Sequence, residues 1–390
     1  AASDVYKRQG RYALSGITVP TTPTVWIAAA TSESVDVRWD QGAKGISIVE
    51  RQVNSGAFMP VAELENRLSW TDASVVAGTS YGYRVRCRTH AGESGYSAVA
   101  TVVPSGNLTP PSPVGMRLWL RSTTGLEPRG AGGAWLDQSG RGNDAVQLVA
   151  EKLPVMSIGG PNGFPQVIFG GDDVLSLPDS LAGSSSGELY AVVRLEPTPR
   201  GSVNTLWRFH PTIPTTYTGG SQLTGIPQFS DTFGSQSKRT VSVGSISPTS
   251  YYLHHVSASD GAWSLRFNGR PLLVDSSNTF DSSAGFLGGG GPGGPYLRGS
   301  MCELIVYDRV LSESERFAVS SYLTAKYAIS GVTIPLKPSV TSAWAIPTIV
   351  TIGWEAPAEG YALATVERST DGIAFTPIGS TESGTTYRDQ

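Results

Sequence analysis

Charged side chains make up only 16% of the 390 residues, against 46 glycines and 26 prolines, a balance that suits short strands joined by turns rather than long helices. The net charge of −3 gives no electrostatic case for nucleic acid or an anionic membrane, and no apolar run approaches the ~20 residues of a membrane span. Cys87 and Cys302 are the only two cysteines, which excludes a disulfide framework and reads as two buried small hydrophobes.

In chain order, the first signal is half of a repeat. Tyr12-Ala-Leu-Ser-Gly-Ile-Thr-Val-Pro20 returns 315 positions later as Tyr327-Ala-Ile-Ser-Gly-Val-Thr-Ile-Pro335. Val35-Asp-Val-Arg-Trp39 is echoed by Val350-Thr-Ile-Gly-Trp354, and Trp70-Thr-Asp72 by Tyr387-Arg-Asp389. So long a period describes whole domains in a string. The sequence is therefore expected to be a window on a longer modular protein, with neighbouring repeats of the same chain as partners. Residues 1–19 become the remnant of a preceding large domain. Residues 1–10 read as foreign to the repeat, because Lys7 and Arg8 fall opposite Tyr322 and Leu323.

Residues 20–105 carry the alternation of half-buried strands. Val35, Val37 and Trp39 alternate with Asp36 and Arg38; Tyr81, Tyr83, Val85 and Cys87 alternate with Gly82, Arg84, Arg86 and Arg88. With Gly78-Thr-Ser-Tyr81 and Ala91-Gly-Glu-Ser-Gly-Tyr-Ser97, this segment resembles a fibronectin type III domain. The resemblance implies a two-sheet sandwich with Tyr81 as its tyrosine corner. Arg84, Arg86 and Arg88 read as a solvated face.

Asn107-Leu-Thr-Pro-Pro-Ser-Pro113 marks a stiff Pro-rich linker at 106–114. The block 115–330 then has the size of one large all-β domain. Arg117-Leu-Trp-Leu120 opens it, Trp263–Phe267 alternates into an Asn268-Gly269 hairpin turn, and Leu304-Ile-Val-Tyr307 is a continuous apolar strand. One helix closes it: Ser312 and Glu315 form a capping box, and Phe317, Val319, Tyr322 and Leu323 give an apolar stripe. Between about 200 and 250 only strands and loops can be read. Residues 336–390 begin the small sandwich again and are expected to be a truncated copy.

Trp135-Leu-Asp137-Gln-Ser-Gly140-Arg-Gly-Asn143, Phe169-Gly-Gly-Asp172-Asp173, Phe267-Asn-Gly269 and Cys302–Arg316 resemble the concanavalin A-like, laminin-G-type jelly roll. The fold class expected for the chain is thus all-β. A jelly-roll sandwich with one C-terminal helix is preceded by a fibronectin type III sandwich and followed by a truncated one.

Asp137, Asn143, Asp172 and Asp173 are the candidate metal ligands. Hard oxygen donors on adjacent loops suit Ca2+, and related folds hold the ion at the rim where ligand binds. The competing reading makes Asp137-Gln-Ser-Gly140 and Arg141-Gly-Asn143 turns whose side chains bond their own backbone. Trp207, Tyr217, Phe229, Phe233 and Tyr296 lie in turn-rich stretches and are candidates for stacking on sugar rings, although each suits a core equally well. Trp39 and Trp119 are assigned to the core.

Glycoside hydrolysis needs paired carboxylates at a fixed separation; the E-x-D-x-x-E pattern is absent, and Glu63-Leu-Glu65 reads as a solvated strand edge. No G-x-S-x-G elbow accompanies His90, His210, His254 or His255, and no Cys/His set has zinc spacing. Of the His254-His255 pair, one is expected to face the core and the other solvent. Gly288–Gly294 lacks the Lys-Ser/Thr of a phosphate loop and reads as a tight connection.

The chain is therefore expected not to be an enzyme, but an extracellular or cell-surface module that binds a glycan or surface glycoprotein. The alternatives are a structural stalk and an accessory, substrate-targeting region of a larger carbohydrate-active enzyme.

Overall fold

The computed structural model describes residues 19–40, 45–104, 111–219, 227–243, 248–291 and 293–330, and beyond them 340–346, 349–354, 364–370, 376–381 and 385–389. The remnant read at residues 1–19 lies, apart from its last residue, outside the described residues. Among the described residues no helix is long and apolar enough to cross a membrane.

The first sandwich has the fibronectin type III arrangement. Val25–Ala30, Val35–Trp39 and Ser69–Asp72 form one sheet. Met59–Glu65, Ile46–Val53, Tyr81–Thr89 and Gly92–Glu93 form the other, with Ala100–Val102 also paired to Tyr81–Thr89. Alternation puts Val35, Val37, Trp39, Tyr83 and Val85 between the sheets. The Tyr81 hydroxyl accepts the Val76 amide at 2.9 Å, as a tyrosine corner does. The arginine face is paired: Arg84 with Glu50, Arg86 with Glu93 and Arg88 with Glu63.

The large sandwich stacks a nine-stranded sheet on an eight-stranded one, all antiparallel. Arg298–Tyr307 is the spine of the smaller sheet. It pairs along one side with Ser186–Leu195, and along the other with Gln166–Gly170 and then Met116–Arg121. This sheet is buried on both faces, which explains the unbroken apolar run Leu304-Ile-Val-Tyr307. Leu189, Val193, Leu304 and Val306 face the inter-sheet core. Tyr190, Val192, Cys302 and Ile305 face outward, where the helix Glu313–Tyr327 covers them. The Asn268-Gly269 turn has positive φ at both residues, 50° and 77°, as a type I′ hairpin requires.

The capping box forms: the Ser312 hydroxyl accepts the Glu315 amide, and the Glu315 carboxylate accepts the Ser312 amide. The buried stripe is shifted from the expected one. Phe317 is only half-buried, whereas Val319, Tyr322, Leu323, Lys326 and Tyr327 are buried.

The two sandwiches are docked. Asn162, at φ 52°, accepts the Val103 amide at 2.9 Å and donates to the Lys326 carbonyl at 2.9 Å, tying the small sandwich to the helix C-terminus. Gly163, at φ 75°, lets the backbone approach Thr101 and Ile27; a Cβ there would sit 2.5 Å from the Thr101 carbonyl oxygen. Phe164 is enclosed and meets Tyr327 edge-on at 5.6 Å. One apolar cluster thus runs from Trp39 through Phe164 to the helix. Residues 105–110 of the Pro-rich stretch are outside the described residues, but Pro111 is buried and Ser112 and Val114 are bonded to Tyr307 and Arg309.

In the C-terminal segment Val340–Ile346, Ile349–Trp354 and Thr386–Asp389 form a three-stranded sheet, and Ala364–Arg368 pairs with Thr376–Thr381. Its register copies the first sandwich: Val350 opposes Asp389 as Val35 opposes Asp72, and Ile352 opposes Tyr387 as Val37 opposes Trp70.

Candidate functional site

Four of the five aromatic candidates are brought together, but in the interior. Trp207, Tyr217, Phe229 and Phe233 all belong to the inter-sheet core, where an enclosed ring has no face to offer a sugar. The core position wins because these strands alternate: Tyr217 and Phe229 point inward while Thr216, Thr218, Gln228 and Ser230 point outward. Trp119 departs from its assignment in the other direction. It lies half-buried on the outer face, beside Tyr322, and donates to Glu303.

Around His254 the interior is unexpectedly polar. His254 Nε2 meets the buried Asp231 carboxylate at 2.8 Å, and Asp231 also accepts from the Thr215 hydroxyl and the Phe233 amide. Trp207 stands edge-on to the imidazole at 4.9 Å. Three enclosed atoms here have no partner among the described residues: His254 Nδ1, Trp207 Nε1 and the Tyr252 hydroxyl. Burial pushes the Tyr252 phenol far above its usual range.

His255 faces the opposite side of its sheet and is also buried, so the expectation that one histidine would meet solvent is corrected. It lies against Glu188, which receives His255 Nε2 at 2.6 Å, Tyr190 at 2.8 Å, the Leu311 amide at 2.8 Å and two nitrogens of Arg316. Burial alone would raise this carboxyl; the His255 hydrogen bond and charge, with Arg316, outweigh it and hold it at about 2. Burial lowers His255, against the pull of the Glu188 carboxylate, which raises it. A second buried carboxylate, Glu303, takes donors from Trp119, Tyr322, Lys326 and Tyr327. These two anchors fasten the helix to the sheet. Sequence reading missed them, since a Glu inside an apolar strand shows no partner.

The metal candidates fall in two places. Asp137 is occupied by its own turn: Oδ1 accepts the Trp119 and Ser139 amides, and Oδ2 accepts the Ser139 hydroxyl and the Asn143 amide. Asn143 donates to the Arg117 carbonyl at 2.7 Å. Asp173 is buried and accepts the Gly170 amide, while exposed Asp172 pairs with Lys152 at 2.9 Å. Among the described residues no three His, Cys, Asp or Glu side chains converge to hold a metal.

Tyr296 is the aromatic candidate that keeps access to solvent. It is half-buried beside Gly289, and its hydroxyl accepts the Gly293 amide at 2.9 Å. Lys152, which pairs with Asp172, lies in its electrostatic neighbourhood. On the other side of the glycine-rich loop, Gly291 approaches Phe286 and Arg208. Phe286 and Arg208 are paired across adjacent strands, and the guanidinium sits over the ring at 4.7 Å. They begin the outer face of the nine-stranded sheet, which continues through Thr216, Thr218, Gln228, Ser230, Thr240 and Ser242. Partly exposed rings, a glycine-rich loop and a field of hydroxyls and amides are what a saccharide surface requires. Sequence reading missed Phe286 and Arg208, because the strand Gly285–Leu287 is too short to show alternation.

No family model and no curated protein matches the chain. Among solved structures, it is similar to a Trypanosoma rangeli sialidase in complex with 2,3-difluorosialic acid, at 16% identity over 63% of this chain and 43% of that one, with a TM-score of 0.38. It is also similar to domain 4 of AbnA, a GH43 extracellular arabinanase from Geobacillus stearothermophilus in complex with arabinotriose, at 16% identity over 53% of this chain and 97% of that one, TM-score 0.39. A fibronectin type III domain of human fibronectin type III domain containing protein 3 aligns at 22% identity over 25% of this chain and 96% of that one, TM-score 0.21. The chain spans less than half of the sialidase. Since solved structures similar to the chain include sialidases, the expectation that it is not an enzyme is corrected and no exclusion of catalysis is kept.

Proposed function

We propose that the chain is a carbohydrate-directed accessory region of a larger extracellular carbohydrate-active protein. The laminin-G-type sandwich contacts saccharide across the outer face of its nine-stranded sheet. The observation that carries this reading is the hydroxyl and amide field bounded by Phe286 and the glycine-rich loop, with Tyr296 on the loop's far side. Sugar rings stack on such aromatic edges, and their hydroxyls exchange hydrogen bonds with Thr, Ser and Gln. The solved structures named above as similar, a sialidase and an arabinanase domain, are carbohydrate-acting and agree in kind. The fibronectin type III sandwich is then a spacer held at a fixed angle by Asn162 and Phe164.

A glycan array with the full chain tests the proposal. Binding to a defined glycan set that Phe286→Ala or Tyr296→Ala weakens about tenfold, in line with ~1–2 kcal/mol for losing one stacked ring, is the expected result. No binding to any glycan would refute it.

A further inference from the structure

Arg208 points to the class of saccharide. It projects from the strand Val203–Arg208 on the outer side, opposite Phe286, while its neighbour Trp207 is fully buried. Most half-buried arginines of the chain are matched by a carboxylate: Arg51 by Asp72, Arg84 by Glu50, Arg316 by Glu188. Arg208 is matched by none among the described residues. Its interaction is with the Phe286 ring at 4.7 Å, and its Nε is enclosed with no acceptor. Gly291 brings the loop backbone close to the guanidinium without a side chain to cover it. The outward positions of the neighbouring strands, from Ser176 to Thr216, Ser230 and Thr240, carry no acid.

A lone fixed cation, stacked on a ring and set at the end of a neutral hydroxyl field, complements a ligand with many hydroxyls and one carboxylate. We infer that this face selects carboxylated saccharides, with the terminal nitrogens of Arg208 holding the carboxylate and Phe286 fixing the guanidinium plane. The planar fork gives two parallel hydrogen bonds, which an ammonium cannot reproduce. This inference rests on the saccharide-binding reading of the same face and adds the charge of the ligand to it.

The test measures binding of the full chain to galacturonic acid oligomers and to sialyllactose, each beside its carboxyl-reduced counterpart. The acidic member of at least one pair is expected to bind tenfold or more tightly than its reduced partner, and the preferred pair identifies the source of the carboxylate. Arg208→Gln should bring the acidic member down to the reduced one. Arg208→Lys should restore only part of the difference, and Arg141→Gln, the same charge change on a distant exposed turn, should alter nothing. Unchanged melting of each variant verifies folding. Equal binding of acidic and reduced members, or an acidic preference that survives Arg208→Gln, would overturn the inference and leave the saccharide reading standing. Binding to neither member of any pair, with no hit on the array, would overturn both.

Discussion

Removing the guanidinium of Arg316 while keeping its stem, as Arg316→Met does, tests how the helix is held. Arg316 donates to Glu188 from Nε at 2.8 Å and Nη2 at 3.1 Å, and Glu188 is wholly buried. Breaking one side of a buried pair costs about 3–5 kcal/mol, because the remaining charge keeps its desolvation penalty. The carboxyl points the same way: the His255 hydrogen bond and then Arg316 hold it well below its ordinary range, at about 2, so part of that depression goes with the guanidinium. A depressed carboxyl contributes fully above its unfolded value, and the contribution fades as pH falls from 4.5 towards 2. Urea unfolding of the full chain at pH 7 should therefore show a loss of roughly 3 kcal/mol, with thermal melting of the large sandwich lowered by about 6–12 °C. The gap between wild type and variant should narrow below pH 4.5. A loss under about 1 kcal/mol at pH 7, or a gap unchanged down to the acid limit, would refute the reasoning.

Two further outcomes follow from the turn and the docking surface. Asp137→Ala should cost about 1–3 kcal/mol by stranding the Trp119, Ser139 and Asn143 amides, and the loss in thermal melting should be the same in excess Ca2+ as in chelator. A loss seen only with Ca2+ present would show that the carboxylate serves an ion instead. Gly163→Val forces a branched side chain into a left-handed backbone and against Thr101. Proteolysis of the full chain between the sandwiches should then accelerate while each sandwich retains its strands by circular dichroism. Unchanged cleavage would mean that the contact at Gly163 does not hold the sandwiches together.

Much of the fold could be read from local pattern. The alternation around Trp39 and Tyr83, the Asn268-Gly269 turn and the Ser312–Glu315 box are signals whose cause lies within a few residues. The site was far less legible. Whether Trp207 or Arg208 faces the core depends on which sheet covers the strand, and a bulge at Thr205–Trp207 breaks the alternation that would have told them apart. Glu188, Glu303 and Lys326 are charged residues whose burial is sustained by partners more than 20 positions away, so no window of sequence contains the reason for it. The His254-His255 pair failed likewise: a sheet covered on both faces gives both rings a buried carboxylate.

The docking of the small sandwich also bears on how such a chain can be divided. Phe164 and Ile27 lie in one apolar cluster that crosses from one sandwich to the other. A cut in the proline-rich stretch would therefore bare a greasy facet on each piece, and the severed pieces would be prone to self-associate. In an intact string of such units, tension along the chain must peel this contact open before either sandwich bears load alone. The seam would act as the first mechanical fuse, and the large sandwich would keep a fixed bearing until it yields.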